Sequence, residues 1–328
     1  MPQTSPITPA PGMIVAAPGV AEGTGQLPTY DIIDNAFGEC IDPIAWLERL
    51  HTGSRWTEGP VWFADLGCLV FSDIPNCRML CYHERTNTVA PFRAATGHAN
   101  GNTRDRQGRL ITCEQGARRV IRTEHDGSVT VLADSYRGRR LNSPNDVVVA
   151  ADDSVWFTDP TYGILSDYVG DKAVQEIDTN NVYRLDPHDM SLTVVVDDFS
   201  MPNGLAFSPD ESRLYIADSG YLTDSSAPRH IRVFDVSEGG RLSGGDVLAG
   251  IEPGIPDGMR VDTDGRIWVG AGDGVHCLTP DGDLIGKIRV PEATANLTFG
   301  GVKRNRLYIT ATTSLYAIYL NVTGTQRP

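Results

Sequence analysis

The chain has 328 residues, of which 40% are hydrophobic and 21% charged, an ordinary globular composition. Its formal net charge of −14 argues against nucleic acid or an anionic membrane as a partner, since both need a basic surface. No run approaches the ~18 apolar residues of a membrane-spanning helix. We therefore expect a monomer or homodimer that acts on a small molecule, with the cytoplasm as the predicted location and the periplasm as the alternative.

The first residues differ in composition from the remainder of the chain. Residues 1–29 are rich in Pro, Gly, Ala and Thr, and they lack the basic start and continuous apolar core of a signal peptide. We expect a flexible extension over residues 1–29 and one folded domain over residues 30–328. The stretch DPIAWLERL, residues 42–50, is the only short candidate for an amphipathic helix.

From residue 58 onward, one phrase recurs six times. Each copy contains a short apolar run, a turn rich in Asp, Gly or Asn, and a second β-branched or aromatic run, which is typical of a β-hairpin. The copies are EGPVWFADLGCLVFSD (from Glu58), NGNTRDRQGRLITCE (from Asn100), NDVVVAADDSVWFTD (from Asn145), NGLAFSPDESRLYIAD (from Asn203), DGMRVDTDGRIWVGA (from Asp257) and NLTFGGVKRNRLYITA (from Asn296).

The spacing of the copies predicts an all-β fold, a six-bladed β-propeller with four-stranded antiparallel blades and a central metal channel. Successive copies begin 39 to 58 residues apart, which matches the period of a propeller blade. Only three strands follow residue 296, so the fourth strand of the last blade should come from residues 46–57. Such closure removes the exposed edge that a broken ring would present.

The first residue of every copy carries a side-chain oxygen. In a propeller these positions begin the innermost strands and converge at one mouth of the channel. A ring of carboxylate and amide oxygens suits a hard cation, and Ca²⁺ accepts six to eight such ligands. Ca²⁺ is the predicted ion, with Mg²⁺, Mn²⁺ or Zn²⁺ as alternatives, although zinc usually takes His or Cys ligands. Turn capping by Asn, Asp and Glu is the competing structural explanation.

The six cysteines show no C-x-x-C pair, and no His/Cys spacing suits a structural zinc site. Most lie in strand-like runs, where Cys behaves as a small hydrophobic residue. We expect free thiols.

Several phrases resemble the senescence-marker-protein/gluconolactonase family: EGPVWF, NGNTRDRQGRL, SPNDVVV, WFTDPTYG, PNGLAFSPD and PDGMRVDTDGRIWV. The resemblance runs from about residue 45 to the C-terminus and is greatest for bacterial gluconolactonases. It implies a six-bladed, metal-dependent propeller whose metal ligands fall on Glu58, Asn145, Asn203 and Asp257. These are four of the six positions that the repeat alone brings to the channel.

The resemblance is weaker for substrate contacts. Animal members have an arginine two residues before the third-blade Asn, where this chain has Ser143. The candidate substrate-binding residues are Asn100, His98, Glu114, Arg119, Asp159 and Tyr162, near inner-strand ends or the loops after them. A surface turn is the competing explanation for His98, and packing under a loop is the one for Tyr162.

Two acids have predicted roles at the metal. Asp257 is the candidate catalytic residue, as base or nucleophile, with a role as ligand alone left open. Asp146 should point away from the channel in an extended strand, where it either orients a ligand amide or is only an acid at a strand start.

Three functions compete on this evidence. The leading hypothesis is a Ca²⁺-dependent lactonase that hydrolyses a sugar lactone such as D-glucono-1,5-lactone to the aldonic acid. The alternatives are an organophosphate or other ester hydrolase on the same propeller, and a non-catalytic calcium-binding propeller, because propellers host many chemistries. No G-x-S-x-G elbow or Walker loop supports serine-hydrolase or phosphate-loop chemistry.

Overall fold

The computed structural model describes residues 29–325, so the extension proposed for residues 1–29 lies almost entirely outside the described residues. Six antiparallel sheets surround a central channel, which confirms the six-bladed propeller. Two strands and a helix precede the first blade: β1 (Tyr30–Ile32), α1 (Asn35–Cys40) and β2 (Glu48–Thr52).

The first three blades each have four strands in sequential antiparallel order. Blade 1 contains β3 (Thr57–Phe63), β4 (Cys68–Asp73), β5 (Arg78–His83) and β6 (Thr88–Ala94). Blade 2 contains β7 (Ala99–Arg104), β8 (Leu110–Glu114), β9 (Arg119–Thr123) and β10 (Val129–Ala133), followed by a small hairpin of β11 (Ser135–Tyr136) and β12 (Arg139–Arg140). Blade 3 contains β13 (Val147–Val149), β14 (Val155–Asp159), β15 (Asn180–Leu185) and β16 (Leu192–Phe199), with α2 (Tyr162–Leu165) after β14.

The last three blades keep this order, and two of them add a strand from the N-terminal segment. Blade 4 contains β17 (Pro202–Phe207), β18 (Arg213–Asp218), β19 (His230–Ser237) and β20 (Arg241–Gly250), with a 3₁₀ turn at Gly220–Leu222. Blade 5 contains β21 (Met259–Val261), β22 (Ile267–Ala271), β23 (Gly274–Leu278) and β24 (Leu284–Arg289), with β1 outside β24. Blade 6 contains β25 (Thr294–Gly300), β26 (Arg306–Ala311) and β27 (Ser314–Tyr319), with β2 as its outer strand.

The ring closes through β2, as the strand count predicts. Glu48 pairs with Ala317, and Thr52 pairs with Ser314. The helix expected within residues 42–50 is therefore wrong, because pairing with β27 outweighs the local helical pattern. A helix forms earlier, in α1, where the Asp34 side chain accepts a hydrogen bond of 2.8 Å from the Ala36 N–H and so caps the first turn.

The core lies between adjacent blades, because each sheet presents alternate side chains to its two neighbours. Between blades 6 and 1, for example, Trp62 stacks on Tyr308 with ring centroids 5.3 Å apart, and Leu69 and Phe71 are fully buried beside them. All six cysteines are free thiols, as expected. Within residues 29–325, no helix has the length and apolar character needed to cross a membrane.

Arg306 joins the closing blade to blade 1. Its side chain is buried, and its two terminal nitrogens donate to Glu84 Oε1 at 2.9 Å and to Glu48 Oε1 at 3.0 Å. Glu84 follows β5 of blade 1, whereas Glu48 belongs to β2, so one guanidinium links both sides of the closure.

We expect Arg306→Ala to lower the free energy of unfolding by about 2–4 kcal/mol, because two half-buried carboxylates lose their partner. Thermal and urea unfolding followed by circular dichroism measure this loss. The matched control is Arg85→Ala, which removes an exposed arginine from the turn after Glu84. Equal stability of the two variants would contradict a role for Arg306 in ring closure.

Candidate active site in the central channel

The six innermost strands approach one another so closely at one mouth of the channel that some positions exclude a side chain. A Cβ on Gly59 would lie 2.1 Å from the carbonyl oxygen of Asn100, and one on Gly258 would lie 2.0 Å from Cγ of Asn296. Gly101 and Gly204 show the same close approach to the next blade. Each of these glycines directly follows a member of the oxygen ring, so the ring residues stand where the blades converge.

Irregular backbone at the strand starts turns the ring residues into the channel. The register of β3 shifts between Glu58 and Val61, and Gly59 there has a positive φ of 50°. Similar shifts occur at the start of β7, β17 and β25. In blades 3 and 5 the ring residues Asn145 and Asp257 lie two residues before the strands begin, which differs from the expectation that they open them.

Three carboxyl groups share this buried space. Glu58 and Asp146 are buried, and Asp257 beside them is partly exposed. The pKa of Asp257 rises well above its usual value through desolvation and through the negative charges of Glu58 and Asp146. Burial and the charge of Asp146 raise the pKa of Glu58 to about 7. Burial also raises the pKa of Asp146. These carboxyl groups therefore repel one another, and the repulsion favours their protonated forms.

Asp146 lies among the ring residues, so the prediction that it points away from the channel is wrong. It precedes β13, and strand alternation therefore does not fix its direction. Its Oδ2 accepts a hydrogen bond of 3.3 Å from the Asn296 amide, which also donates to Glu58 Oε2 at 3.1 Å. Asn296 thus presents its NH₂ group, not its oxygen, to two of the acids.

Arg260 is a residue that the sequence patterns did not single out. Its Nη1 lies 4.0 Å from Asp146 Oδ2, and its Nη2 is buried without a hydrogen-bond partner among the described residues. It also lines a cavity of about 470 Å³ at the opposite ends of the inner strands. The sequence signal that could have identified Arg260 is its place inside the otherwise apolar run GMRV, because a charge is seldom buried without a partner.

Hydrogen bonds hold the amide side chains of Asn203 and Asn100 in place, whereas the Asn145 amide has none among the described residues. The Nδ2 of Asn203 donates to Ser219 Oγ at 3.2 Å, which leaves its carbonyl oxygen for another partner. Asn145 has no side-chain hydrogen bond among the described residues, and it is almost fully buried. The Nδ2 of Asn100 donates to Gln115 Oε1 at 2.9 Å. Ser219 and Gln115, which the sequence did not indicate, therefore orient two members of the ring.

The donor set fits a divalent cation. With all three carboxyl groups ionised, and one guanidinium beside them, this part of the channel has a formal charge of −2; the raised pKa values show that this charge is costly without a cation. Glu58, Asn145, Asn203 and Asp257 supply oxygen atoms only, which suits Ca²⁺ or Mg²⁺ better than zinc. An ion of charge +2 would therefore neutralise the acids of the free protein.

Some of the candidate substrate-binding residues lie at the oxygen ring, and others contact neighbouring protein groups instead. Tyr162 is near the ring: its OH donates to the Ser219 carbonyl at 3.3 Å, and its pKa is raised by burial and by the charge of Asp257. Asn100 belongs to the ring itself. Glu114 pairs in register with Ala99 and forms an ion pair of 2.6 Å with Arg119.

His98 lies in the loop that enters β7. Its Nδ1 is 3.0 Å from the carbonyl oxygen of Ile74, and its backbone N–H donates to Cys77 Sγ at 3.4 Å. The His98 ring therefore contacts the loop after β4 and, at Gly116, the loop after β8.

Asp159 belongs to a structural pattern that recurs in three blades. An acid at the end of the second strand accepts backbone N–H groups from the segment that leads into the inner strand. The acids are Asp73, Asp159 and Asp218. The Asp159 side chain accepts the Asn142 N–H at 2.8 Å, and burial raises its pKa to about 7. This contact gives Oδ2 of Asp159 a structural role, whereas its Oδ1 is buried without a hydrogen-bond partner among the described residues.

Ser143 is fully buried and supports the loop that carries Tyr162. Its hydroxyl donates to the Pro160 carbonyl and accepts the Gly163 N–H at 2.9 Å. The loop continues over the mouth, where the Val169 carbonyl accepts a hydrogen bond from Gln115. Where the animal members of the family have an arginine, this chain therefore has Ser143, which fixes the loop.

Fold and site together define a six-bladed propeller with a channel of hard oxygen donors. The family model for the SMP-30/gluconolactonase/LRE-like region matches residues 56–313. The chain belongs to this family.

Individual relatives agree with this assignment. The chain is 30% identical to the gluconolactonase of Zymomonas mobilis over 87% of its own length and 84% of that protein. It is 30% identical to the pentonolactonase XacC of Haloferax volcanii, over 80% and 83% of the two chains. The solved gluconolactonase of Xanthomonas campestris superimposes with a TM-score of 0.83 at 37% identity, covering 89% of this chain and 95% of that one.

We expect Glu58→Gln to raise the melting temperature of the metal-free protein at pH 8 and to change it little at pH 4.5. The folded protein holds the Glu58 proton up to a pH of about 7, whereas the ordinary value is 4.5. Protonation of Glu58 therefore stabilises the folded state fully below pH 4.5, and this stabilisation is lost as the pH rises through about 7. Glutamine keeps the acceptor oxygen and removes the charge.

Calorimetry of chelator-treated protein measures this effect, with the exposed Glu238→Gln as the matched control. A lower melting temperature of Glu58→Gln at pH 8 would contradict the repulsion among the channel acids.

Proposed function

We propose that the protein is a metal-dependent lactonase that hydrolyses a sugar lactone such as D-glucono-1,5-lactone, with Ca²⁺ as the ion. The observation that carries this proposal is the converging set of oxygen donors, which includes three carboxyl groups of raised pKa, at the mouth of the channel. The names of the relatives, gluconolactonase and pentonolactonase, support a lactone as the substrate class.

Glu58, Asn145, Asn203 and Asp257 would hold the ion. When bound, it would supply positive charge that stabilises the oxyanion developing on the lactone carbonyl. The side chains around these four residues fix their direction. The Asn296 amide holds the Glu58 carboxylate, and Ser219 holds the Asn203 amide.

Asp257 is the proposed general base. Its carboxylate would accept a proton from the water that attacks the lactone carbonyl. As the acyl–oxygen bond breaks, that proton would pass to the ring oxygen, which becomes the alcohol of the aldonic acid. The negative charges of Glu58 and Asp146 raise its proton affinity. The nearby Asn203 amide donates to the same carboxyl group and limits its rotation.

Tyr162 and Asn100 are the proposed contacts for sugar hydroxyls. The Tyr162 phenol lies beside Ser219, and the loop that carries it is held by Ser143 and Gln115. This arrangement gives the mouth one wall with a hydroxyl group that donates to the Ser219 carbonyl and lies near enough to Asp257 to sense its charge. Glu114 and Arg119 could reach substrate only by changing their mutual ion pair.

The proposal is tested by pH-stat titration of acid release from D-glucono-1,5-lactone, a pentonolactone and a phosphotriester. We expect rapid lactone hydrolysis that chelator abolishes and that added Ca²⁺ restores. Preference for the phosphotriester would favour the organophosphate hydrolase instead. Binding of Ca²⁺ without hydrolysis of any ester would favour the non-catalytic propeller.

We expect Asp257→Asn to reduce kcat for lactone hydrolysis by about 10²–10⁴-fold, because asparagine keeps the size and the oxygen but cannot accept the proton. Steady-state kinetics at saturating Ca²⁺ measure the loss, and the exposed Asp281→Asn is the matched control. Full activity of Asp257→Asn would overturn the assignment.

A further experiment separates a base from a nucleophile. Single-turnover hydrolysis in ¹⁸O-labelled water should leave the Asp257 carboxyl unlabelled if it acts as the base. Label in the peptide that contains Asp257 would identify it as the nucleophile.

A further inference from the structure

A second group of metal-binding side chains lies in blade 1, away from the channel mouth. Sγ of Cys68, Sγ of Cys81 and a ring nitrogen of His83 all lie within 4.8 Å of one another. Cys68 opens β4, and the other two residues lie at the end of β5.

The strand register explains why these residues meet. Cys68 pairs directly with His83, whereas Val70 pairs with Cys81. Cys81 and His83 are two residues apart on one strand, so their side chains point to the same face of the sheet. Cys68 faces the same way from the neighbouring strand. The three residues therefore occupy one corner of the blade 1 sheet.

The corner is distant from the oxygen ring. Glu58 pairs with Ser72, four residues along β4 from Cys68, which corresponds to about 13 Å along the strand. The inner strand β3 runs from Glu58 to Phe63, so the thiols lie at the opposite end of the blade from the channel mouth.

Burial divides the three side chains in a way that suits a half-buried metal site. Cys68 and Cys81 are 4% and 5% exposed, and both belong to the apolar cluster that includes Val70 and Leu110. His83 is exposed, and no hydrogen bond of its ring is present among the described residues. The thiols are thus held rigidly by packing, while the imidazole is free to turn toward them.

From this geometry we propose that Cys68, Cys81 and His83 bind one Zn²⁺ ion. Zinc takes thiolate ligands at about 2.3 Å and imidazole at about 2.0 Å. In a tetrahedral site the ligand atoms are then about 3.8 Å apart or less. Ligand atoms within 4.8 Å reach this spacing through a shift of about 1 Å, mainly by rotation of the exposed imidazole.

The charge and softness of the ligands favour zinc over the ion proposed for the channel. Two thiolates neutralise the two charges of Zn²⁺, their two protons pass to the solvent, and the imidazole binds neutral. Ca²⁺ and Mg²⁺ prefer oxygen ligands. The fourth position faces the solvent beside His83 and is left for water.

The nearby charges do not oppose the ion. Arg104 reaches this corner from blade 2, but it forms an ion pair of 3.3 Å with Asp65 and packs over the Phe63 ring at 4.8 Å. The guanidinium and the carboxylate offset each other, so the local charge is set by the thiols.

Co²⁺ is the probe that distinguishes the two sites. Reduced protein is saturated with Ca²⁺ and then titrated with Co²⁺, and absorption is recorded. Thiolate-bound tetrahedral Co²⁺ gives a thiolate-to-metal charge-transfer band and intense visible bands, whereas Co²⁺ in the oxygen ring does not. We expect these bands at one equivalent, and their loss when Zn²⁺ is added.

Two variants test the ligands. His83→Ala, at an exposed position where the fold is not at risk, should weaken Co²⁺ binding at least tenfold, whereas the exposed control His188→Ala should bind like the wild type. Cys68→Ser removes one of the two thiolates and should at least halve the charge-transfer band, whereas Cys40→Ser, which alters another buried thiol pair, should keep it unchanged.

Three outcomes would overturn the proposal. They are the absence of a charge-transfer band in reduced wild-type protein, unchanged Co²⁺ affinity of His83→Ala, and a Cys68–Cys81 disulfide that forms in place of metal binding.

Discussion

The close approach of the inner strands at one channel mouth is the constraint on which this structure depends. Where a Cβ would collide with the neighbouring blade, the chain carries glycine, and the residue before it carries an oxygen. Packing and function are therefore encoded in the same dipeptides, EG, NG and DG. Two blades lack this glycine: the second position is Asp146 in blade 3 and Leu297 in blade 6. Asp146 adds the third carboxyl group to the channel.

The charge balance follows from this geometry. Three acids that face one another in a buried space are costly unless a cation accompanies them. The guanidinium of Arg260 lies beside Asp146 and offsets one negative charge, and the Asn296 amide donates to two of the acids. When Glu58 and Asp257 are ionised, a charge of −2 remains toward the mouth. The electrostatic repulsion among these acids is what the proposed divalent ion would relieve.

Much of the fold could be predicted because the repeat is local. Each hairpin appears as an apolar run, a turn and another run, and counting strands identified the region that contains β2. The acids at Glu58 and Asp257 could also be predicted, since six copies of one phrase superimpose them. The direction of Asp146 and the role of Asp159 could not be predicted, because both depend on contacts from distant segments. The corner formed by Cys68, Cys81 and His83 was missed for the same reason, since cross-strand register, not spacing along the chain, brings its members together.

The pairing of β2 with β27 also has a consequence for the order of folding during synthesis. β2 is synthesised long before its partner, Ser314–Tyr319. It therefore lacks its neighbouring strand while the intervening blades form, and the ring cannot close until β27 has been synthesised. The six oxygen-bearing positions converge only with this late pairing, because the sixth inner strand belongs to the same blade as β27.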